Sequence, residues 1–159
     1  MKPLASQALD SVIPITGKSA INPIAAGFSA GDESKDHFIR RNGIEFAGTH
    51  LILDLWEAEG LDDLELMESA MREAVDTCGA TLLHIHLHHF TPSYGISGVA
   101  VLAESHISVH TWPERNFAAF DIFMCGDAKP ELAIPVLKNA FNPGRINISE
   151  QLRGINDQL

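Results

Sequence analysis

Apolar and polar residues alternate with a period of two over several short stretches of the chain, and this pattern predicts β-strands. Between residues 48 and 56, leucines at alternate positions face away from His50 and Asp54. The same alternation recurs from 106 to 112, whereas the stretch from 99 to 103 is apolar throughout and predicts a buried strand. The predicted strands cover residues 48–56, 81–90, 99–103, 106–112, 117–124 and 145–149.

Two further segments carry apolar residues at helical spacing. In the first, Asp62 and Glu65 form a predicted capping pair, and Gly79 supplies the C-terminal stop. Its apolar stripe consists of Leu64, Met67, Met71, Ala74, Val75 and Cys78. The second helix is predicted from Pro130 to residue 141, and a proline inside it, Pro135, predicts a kink or a late helix start.

The resulting order of elements is strand, helix, four strands, helix and strand. Consecutive strands joined by short connections favour antiparallel pairing, and two amphipathic helices suffice to cover one sheet face. The sequence therefore predicts an α+β fold. Its architecture is a two-layer sandwich, in which a mainly antiparallel sheet of four or more strands has two helices on one face.

Residues 1–46 precede the first of these predicted strands and form an N-terminal extension to a domain at 47–159. Residues 21–28 are apolar enough to pack as an arm, while 29–41 are polar and charged and suit a mobile linker. We prefer a flexible tail for the extension. No signal-peptide pattern and no apolar run of about 18 residues is present, which predicts a soluble protein without membrane contact.

Composition restricts the class of protein further. The chain has 159 residues, of which 45% are hydrophobic, enough for one domain with a core. A formal net charge of −10 excludes the basic surface on which nucleic-acid binding depends. Only two cysteines, Cys78 and Cys125, are present, so there is no disulfide framework, and we expect free thiols in a reducing cytoplasm.

The connection between two predicted strands, at Glu104 and Ser105, concentrates the chemistry of the chain. Such a tight connection can hold strained backbone, and strain beside a hydroxyl primes a peptide bond for attack by its own side chain. The following strand places Ile107, Val109 and Thr111 on one side by alternation, which suits a core. The opposite side carries His106, Ser108, His110 and Trp112, which suit a site.

A metal site is the competing hypothesis. His84, His86 and His88 share one side of a predicted strand, and His106 or Asp121 would complete a set of ligands. However, alternate side chains on a strand are about 6–7 Å apart and seldom converge on one ion, so we do not expect a metal. The other interpretation of these histidines is a polar strand face at a subunit contact or in solvent.

The motifs around Ser105 resemble those of the bacterial and archaeal S-adenosylmethionine decarboxylases, which are pyruvoyl enzymes that cleave themselves. The resemblance covers roughly residues 48–154, and that family's chains usually begin close to the first strand. The matching motifs, in the family's order and spacing, are Tyr94-Gly95-Ile96-Ser97-Gly98-Val99, Glu104-Ser105-His106, His110-Thr111-Trp112-Pro113-Glu114 and Phe123-Met124-Cys125-Gly126.

This resemblance implies that the Ser105 hydroxyl attacks the Glu104 carbonyl and gives an ester. His110 is the implied base that removes the Ser105 α proton, after which elimination and hydrolysis leave a pyruvoyl group. That carbonyl forms an imine (Schiff base) with the substrate amino group and takes up the electrons left by carbon dioxide, without metal or pyridoxal phosphate. Cys125 is the implied proton donor to the resulting carbanion.

Further site residues also follow from the resemblance. Ser97 assists processing and lines the site, Glu114 binds the ribose hydroxyls, and Phe90 stacks on the adenine; Trp112 borders the site and packs. The segment from Thr91 to Tyr94 is one residue longer than the family pattern.

The implied function is a self-processing decarboxylase of S-adenosylmethionine that supplies the aminopropyl donor for spermidine. It implies a homodimer in which the sheets lie side by side and residues of both subunits line each site. Two alternatives stay open: a pyruvoyl enzyme acting on ornithine or arginine, and a metal-binding or unprocessed, nucleoside-binding relative without activity.

Overall fold

The computed structural model describes residues 37–91 and 95–155 of the chain. The predicted arm at 21–28, the flexible tail up to residue 36 and the family match at Tyr94 lie outside the described residues. The elements are β1 Ile39–Arg41, β2 Ile44–Phe46, β3 Gly48–Trp56, α1 Leu64–Thr77, β4 Leu82–His89, β5 Ile96–Leu102, β6 Ser105–Trp112, β7 Phe117–Met124, α2 Ala133–Phe141 and β8 Arg145–Arg153. Short 3-10 turns lie at Pro113–Arg115 and Pro130–Leu132.

A six-stranded sheet with the order β4-β5-β6-β7-β3-β8 forms the body of the structure. Every pairing within it is antiparallel. Both helices pack against the same face and against each other, and fully buried residues such as Leu53, Met67, Leu137 and Phe141 fill the layer between them. The predicted two-layer α+β sandwich is confirmed.

The opposite face of the sheet is not covered by either described helix, and we call it the open face. On β6, Ile107 and Val109 are fully buried, while His110 and Trp112 are exposed. The predicted division of this strand into a core side and a polar side is therefore confirmed. The strand register places residues of neighbouring strands side by side on the open face. One such row consists of His106, Phe123 and His50.

A hairpin of β1 and β2 precedes the sheet, within the stretch that the sequence analysis placed in the N-terminal extension. Its turn is Asn42-Gly43, and both residues have positive φ, 52° and 78°. The side chain of Phe46 is fully buried. The assignment of Ile39–Arg41 to a mobile linker was wrong, since these residues pair as a strand with Ile44–Phe46.

The ends of the predicted helices differ slightly from the structure. Asp63, rather than Asp62, caps α1, and its carboxylate accepts the Leu66 amide at 3.0 Å. The segment at Pro130 forms a 3-10 turn and α2 begins only at Ala133, so Pro135 falls in the first turn. The late start that Pro135 predicted is confirmed, because the first turn of a helix needs no amide donor at that position.

Within the parts of the chain that the structure covers, neither helix has the length and apolar character needed to cross a membrane.

Candidate functional site

The two residues Ala103 and Glu104 form the whole connection between β5 and β6, because Leu102 pairs directly with Ser105. Glu104 has a φ of 63°, in the left-handed region that favours glycine. A residue with a Cβ atom in such a conformation costs roughly 1–3 kcal/mol. The strained connection that the sequence suggested is thus located at Glu104, immediately before Ser105.

Ser105 begins β6 on its buried side, and its side chain is 9% exposed. Its hydroxyl oxygen accepts a hydrogen bond from the Cys125 amide at 3.2 Å. This bond crosses from the first residue of β6 to the residue that follows β7. It fixes the Ser105 hydroxyl beside the backbone of Cys125.

Cys125 is partly buried, and its thiol is free. Burial, followed by the negative charge of Glu104, raises the pKa of this thiol above its usual value. Cys125 therefore keeps its proton at neutral pH, which suits a group that donates a proton and not one that attacks as a thiolate.

His37 contacts the same corner of the molecule from the segment before β1. Its Nε2 lies 3.0 Å from Oε1 of Glu104, with both side chains 52% exposed. Its backbone carbonyl accepts the Gly126 amide at 3.1 Å. The cluster of His37, Glu104, Ser105 and Cys125 is called the turn cluster below.

His110 and Ser97 form a second group, which is separate from the turn cluster. They pair across β6 and β5, and the Ser97 hydroxyl lies 2.9 Å from Nδ1 of His110. His110 is exposed on the open face, whereas Ser105 lies on the buried side. At about 3.3 Å per residue, the two residues are about 16 Å apart along β6. Within one chain, the structure does not bring His110 to Ser105.

Trp112 and Glu114 lie together at the same end of the sheet as His110. Trp112 is 41% exposed and stacks on Phe117 with ring centroids 5.3 Å apart, and Phe117 in turn stacks on Trp56 at 4.3 Å. These rings, with Glu114 and Arg115, line an open cleft of about 440 Å³. Its aromatic wall and carboxylate are suited to a flat, polar ring system.

Phe90 is not part of this cleft. It follows β4, is 43% exposed, and makes an edge contact with His88 at a centroid distance of 4.5 Å. Phe90 therefore does not line the cleft of its own chain, and a stacking role for it requires the cleft of another copy.

The histidines of β4 were the candidate ligands of the competing metal hypothesis. Among residues 37–91 and 95–155, no group of three histidine, cysteine or carboxylate side chains is arranged to hold an ion. His84, His86 and His88 follow one another along an exposed strand edge, as their alternation indicated. The metal hypothesis thus finds no support in the described geometry.

Asp121 has a partner that the sequence analysis did not identify. His50 lies across β3 and β7 from it, and Nε2 of His50 is 3.1 Å from Oδ1 of Asp121. Next to this pair, burial lowers the pKa of His106, and the nearby His50 lowers it further. These groups therefore form a polar centre of the open face, and His106 is neutral at neutral pH.

Two features of the site were missed at the level of sequence. His37 carries no signal in its neighbourhood that would point to Glu104, because the contact joins distant parts of the chain. Phe117 and Trp56 were placed only as strand residues, although their position opposite Trp112 follows once the register of β6, β7 and β3 is known.

Comparison with known proteins gives a consistent result. The family model described as S-adenosylmethionine decarboxylase matches residues 49–154. A curated S-adenosylmethionine decarboxylase proenzyme from Thermomicrobium roseum is 44% identical over 109 residues, covering 68% of this chain and 94% of the relative. One of the same name from Methanococcus vannielii is 48% identical over 113 residues, covering 69% and 92%. The crystal structure of the adenosylmethionine decarboxylase from Aquifex aeolicus is similar with a TM-score of 0.65 and 33% identity, covering 72% of this chain and 96% of that one.

Proposed function

Because this chain belongs to the S-adenosylmethionine decarboxylase family, we propose that it is a proenzyme that forms its own pyruvoyl group by cleavage between Glu104 and Ser105. The enzyme removes the carboxylate of S-adenosylmethionine as carbon dioxide and so supplies the aminopropyl donor for spermidine biosynthesis. The observation that carries the self-cleavage is the positive φ of Glu104, directly before a buried serine whose hydroxyl is fixed by a hydrogen bond.

Cleavage in this proposal begins at the Ser105 hydroxyl. Its oxygen bonds to the Glu104 carbonyl carbon, the peptide C–N bond breaks, and an ester with a free Ser105 amine results. Removal of the Ser105 α proton then expels the Glu104 carboxylate, and water replaces the nitrogen as ammonia. The strained backbone of Glu104 raises the free energy of the intact chain, and this favours a first step that breaks the adjacent peptide bond.

The residues beside Ser105 fit a pyruvoyl group at this position. The group is small, it would stand at the buried start of β6, and Cys125 lies next to it with a raised thiol pKa. When formed, the group supplies a sink for the electrons released as carbon dioxide departs. Cys125 then holds the proton that the substrate carbon requires.

The separation of His110 from Ser105 supports a homodimer. If His110 is the base, with Ser97 holding its Nδ1, it must reach a serine other than that of its own chain. A second copy with its open face or strand edge against the first would bring His110 of one subunit to Ser105 of the other. Each site in the proposed dimer therefore contains the turn cluster of one chain and the Ser97–His110 pair of its partner.

The aromatic cleft favours a nucleoside substrate over ornithine or arginine. Stacked Trp112 and Phe117 offer a flat surface for adenine, and Glu114 offers a carboxylate for ribose hydroxyls. An aromatic face also stabilises a sulfonium cation by about 0.5–2 kcal/mol. Phe90 of one subunit would complete this surface only across the dimer. The free thiols of Cys78 and Cys125 support a reducing compartment such as the cytoplasm.

Intact mass measurement of the purified protein tests the proposal directly. We expect two fragments that divide between Glu104 and Ser105. The C-terminal fragment should be about 17 Da lighter than its unmodified sequence, because the conversion of an N-terminal serine into a pyruvoyl group is a net loss of ammonia. A single chain that stays whole on incubation would contradict self-cleavage, and a cut with an unmodified serine would contradict the pyruvoyl group.

Mixing two inactive variants tests the shared site. Ser105→Ala and His110→Ala chains are each expected to stay uncleaved alone. In a mixed dimer, the Ser105→Ala chain supplies an intact His110 to its partner. The His110→Ala chain, which keeps its Ser105, should therefore be cleaved. With equal expression and random pairing, cleavage of about a quarter of all chains, which is half of the His110→Ala chains, is the expected result by intact mass. The absence of any cleavage after co-expression, with mixed dimers demonstrated by affinity tags, would contradict the arrangement in trans.

A further inference from the structure

His37 makes two contacts with the turn cluster, one with its side chain and one with its backbone. The imidazole Nε2 donates to the Glu104 carboxylate at 3.0 Å, since a carboxylate can only accept. The His37 carbonyl accepts the Gly126 amide at 3.1 Å. His37 thus connects Glu104, the residue before the scissile bond, to Gly126. The residue before Gly126 is Cys125, whose amide fixes the Ser105 hydroxyl.

The family match does not account for this residue. His37 lies before the matched span of 49–154. Nothing in the self-cleavage chemistry derived above uses it either. Its contact with Glu104 nevertheless joins the N-terminal part of this chain to the reacting bond.

We propose that His37 is a positioning residue for self-cleavage, which holds the Glu104 side chain and the Cys125–Gly126 segment in place around the scissile bond. This inference rests on the proposed self-cleavage at Glu104. The N-terminal extension thereby acquires a role in the maturation of this chain.

The charge that develops during cleavage explains why the contact accelerates the reaction. Attack by the Ser105 hydroxyl places negative charge on the Glu104 carbonyl oxygen. The carboxylate of the same residue lies nearby, and two like charges repel. A ring N–H that donates to this carboxylate draws its charge away from the reacting carbonyl and keeps the side chain out of the path of attack.

The experiment follows cleavage of the full-length chain after a pulse of cell-free synthesis, with the cleaved fraction measured on denaturing gels over time. His37→Ala is expected to slow cleavage about twofold to fivefold, the size expected for the loss of one half-exposed contact between side chains. His37→Gln, whose amide nitrogen can still donate, should recover most of the rate. Arg40→Ala is the matched control, because Arg40 lies in the same segment but pairs with Glu45. This substitution should leave the rate of cleavage unchanged.

A double-mutant cycle separates positioning from a general effect on folding. In a Glu104→Gln background, the like charge is absent, so His37→Ala should slow cleavage by much less than in the wild-type background. An equal slowing in both backgrounds, or a His37→Ala chain that is cleaved at the wild-type rate, would overturn the inference while self-cleavage itself stands. A wild-type chain that is never cleaved would overturn both.

Discussion

A Ser105→Ala chain is expected to remain a single polypeptide and to release no carbon dioxide from S-adenosylmethionine. In the proposed mechanism the Ser105 hydroxyl is the attacking oxygen, and the Cα and Cβ of Ser105 become the ketone carbon and the methyl carbon of the pyruvoyl group, so no other residue can replace it. The methyl group of alanine fits the buried start of β6, where the serine side chain is 9% exposed, so the fold should be retained. Intact mass and release of labelled carbon dioxide measure the two losses, both of which should be complete.

Ser108→Ala is the control for this substitution. It makes the same chemical change three positions along β6, on the half-buried open face and away from the turn. This chain should be cleaved and active. A Ser105→Ala chain that is cut between residues 104 and 105, or that releases carbon dioxide, would contradict the mechanism even if its rate were low.

A Cys125→Ala chain is expected to cleave itself but to turn over substrate about 10²–10⁴-fold more slowly, the range for loss of a general acid. Its backbone amide, which holds the Ser105 hydroxyl, is still present, whereas the thiol proton is absent. The fraction of cleaved chain by intact mass and kcat per cleaved chain separate the two effects. Cys78→Ala is the control, since that thiol is 2% exposed within the hydrophobic core, 3.9 Å from the Pro130 carbonyl, and is not part of the turn cluster.

The pH dependence of the wild-type enzyme provides a second measure of the same residue. Burial and the charge of Glu104 raise the pKa of Cys125. The thiol can donate a proton only while it is protonated, which is the case below this pKa. The decrease of kcat on the alkaline side should therefore begin at a higher pH than for an ordinary thiol. If Cys125→Ala kept the wild-type kcat and the same alkaline limb, another group would have to be the donor.

The sheet and helices were predictable from sequence because their patterns are local. The bounds of β3 and β7 agree with the predicted stretches, since alternation places a core residue at every second position. β8 was predicted to end at Ser149 but extends to Arg153. Glu150 and Gln151 are exposed on an edge strand, so no burial pattern marks them. The hairpin of β1 and β2 was missed, although its Asn42-Gly43 turn is a strong hairpin signal.

The candidate site was less predictable, because it depends on contacts between distant residues. The resemblance singled out Ser105, Cys125 and His110 by their spacing in the motif. Spacing alone could not reveal that Ser105 and His110 lie on opposite sides of β6. For this reason we propose that His110 acts on the Ser105 of a second subunit. The contact of His37 with Glu104 depends on how the chain before β1 returns to the sheet.

The order of strands in the sheet determines what the proposed cleavage between Glu104 and Ser105 would leave as the mature protein. The N-terminal fragment contributes β4, β5 and β3, and the C-terminal fragment contributes β6, β7 and β8, so the fragments alternate across the sheet. They share three strand borders, β5 with β6, β7 with β3, and β3 with β8. The fragments therefore remain one folded body without a peptide bond between them. Each precursor subunit folds from a single chain, whereas each subunit of the cut protein can refold only when two different fragments meet, so the proposed cleavage adds a concentration dependence to refolding of the subunit itself.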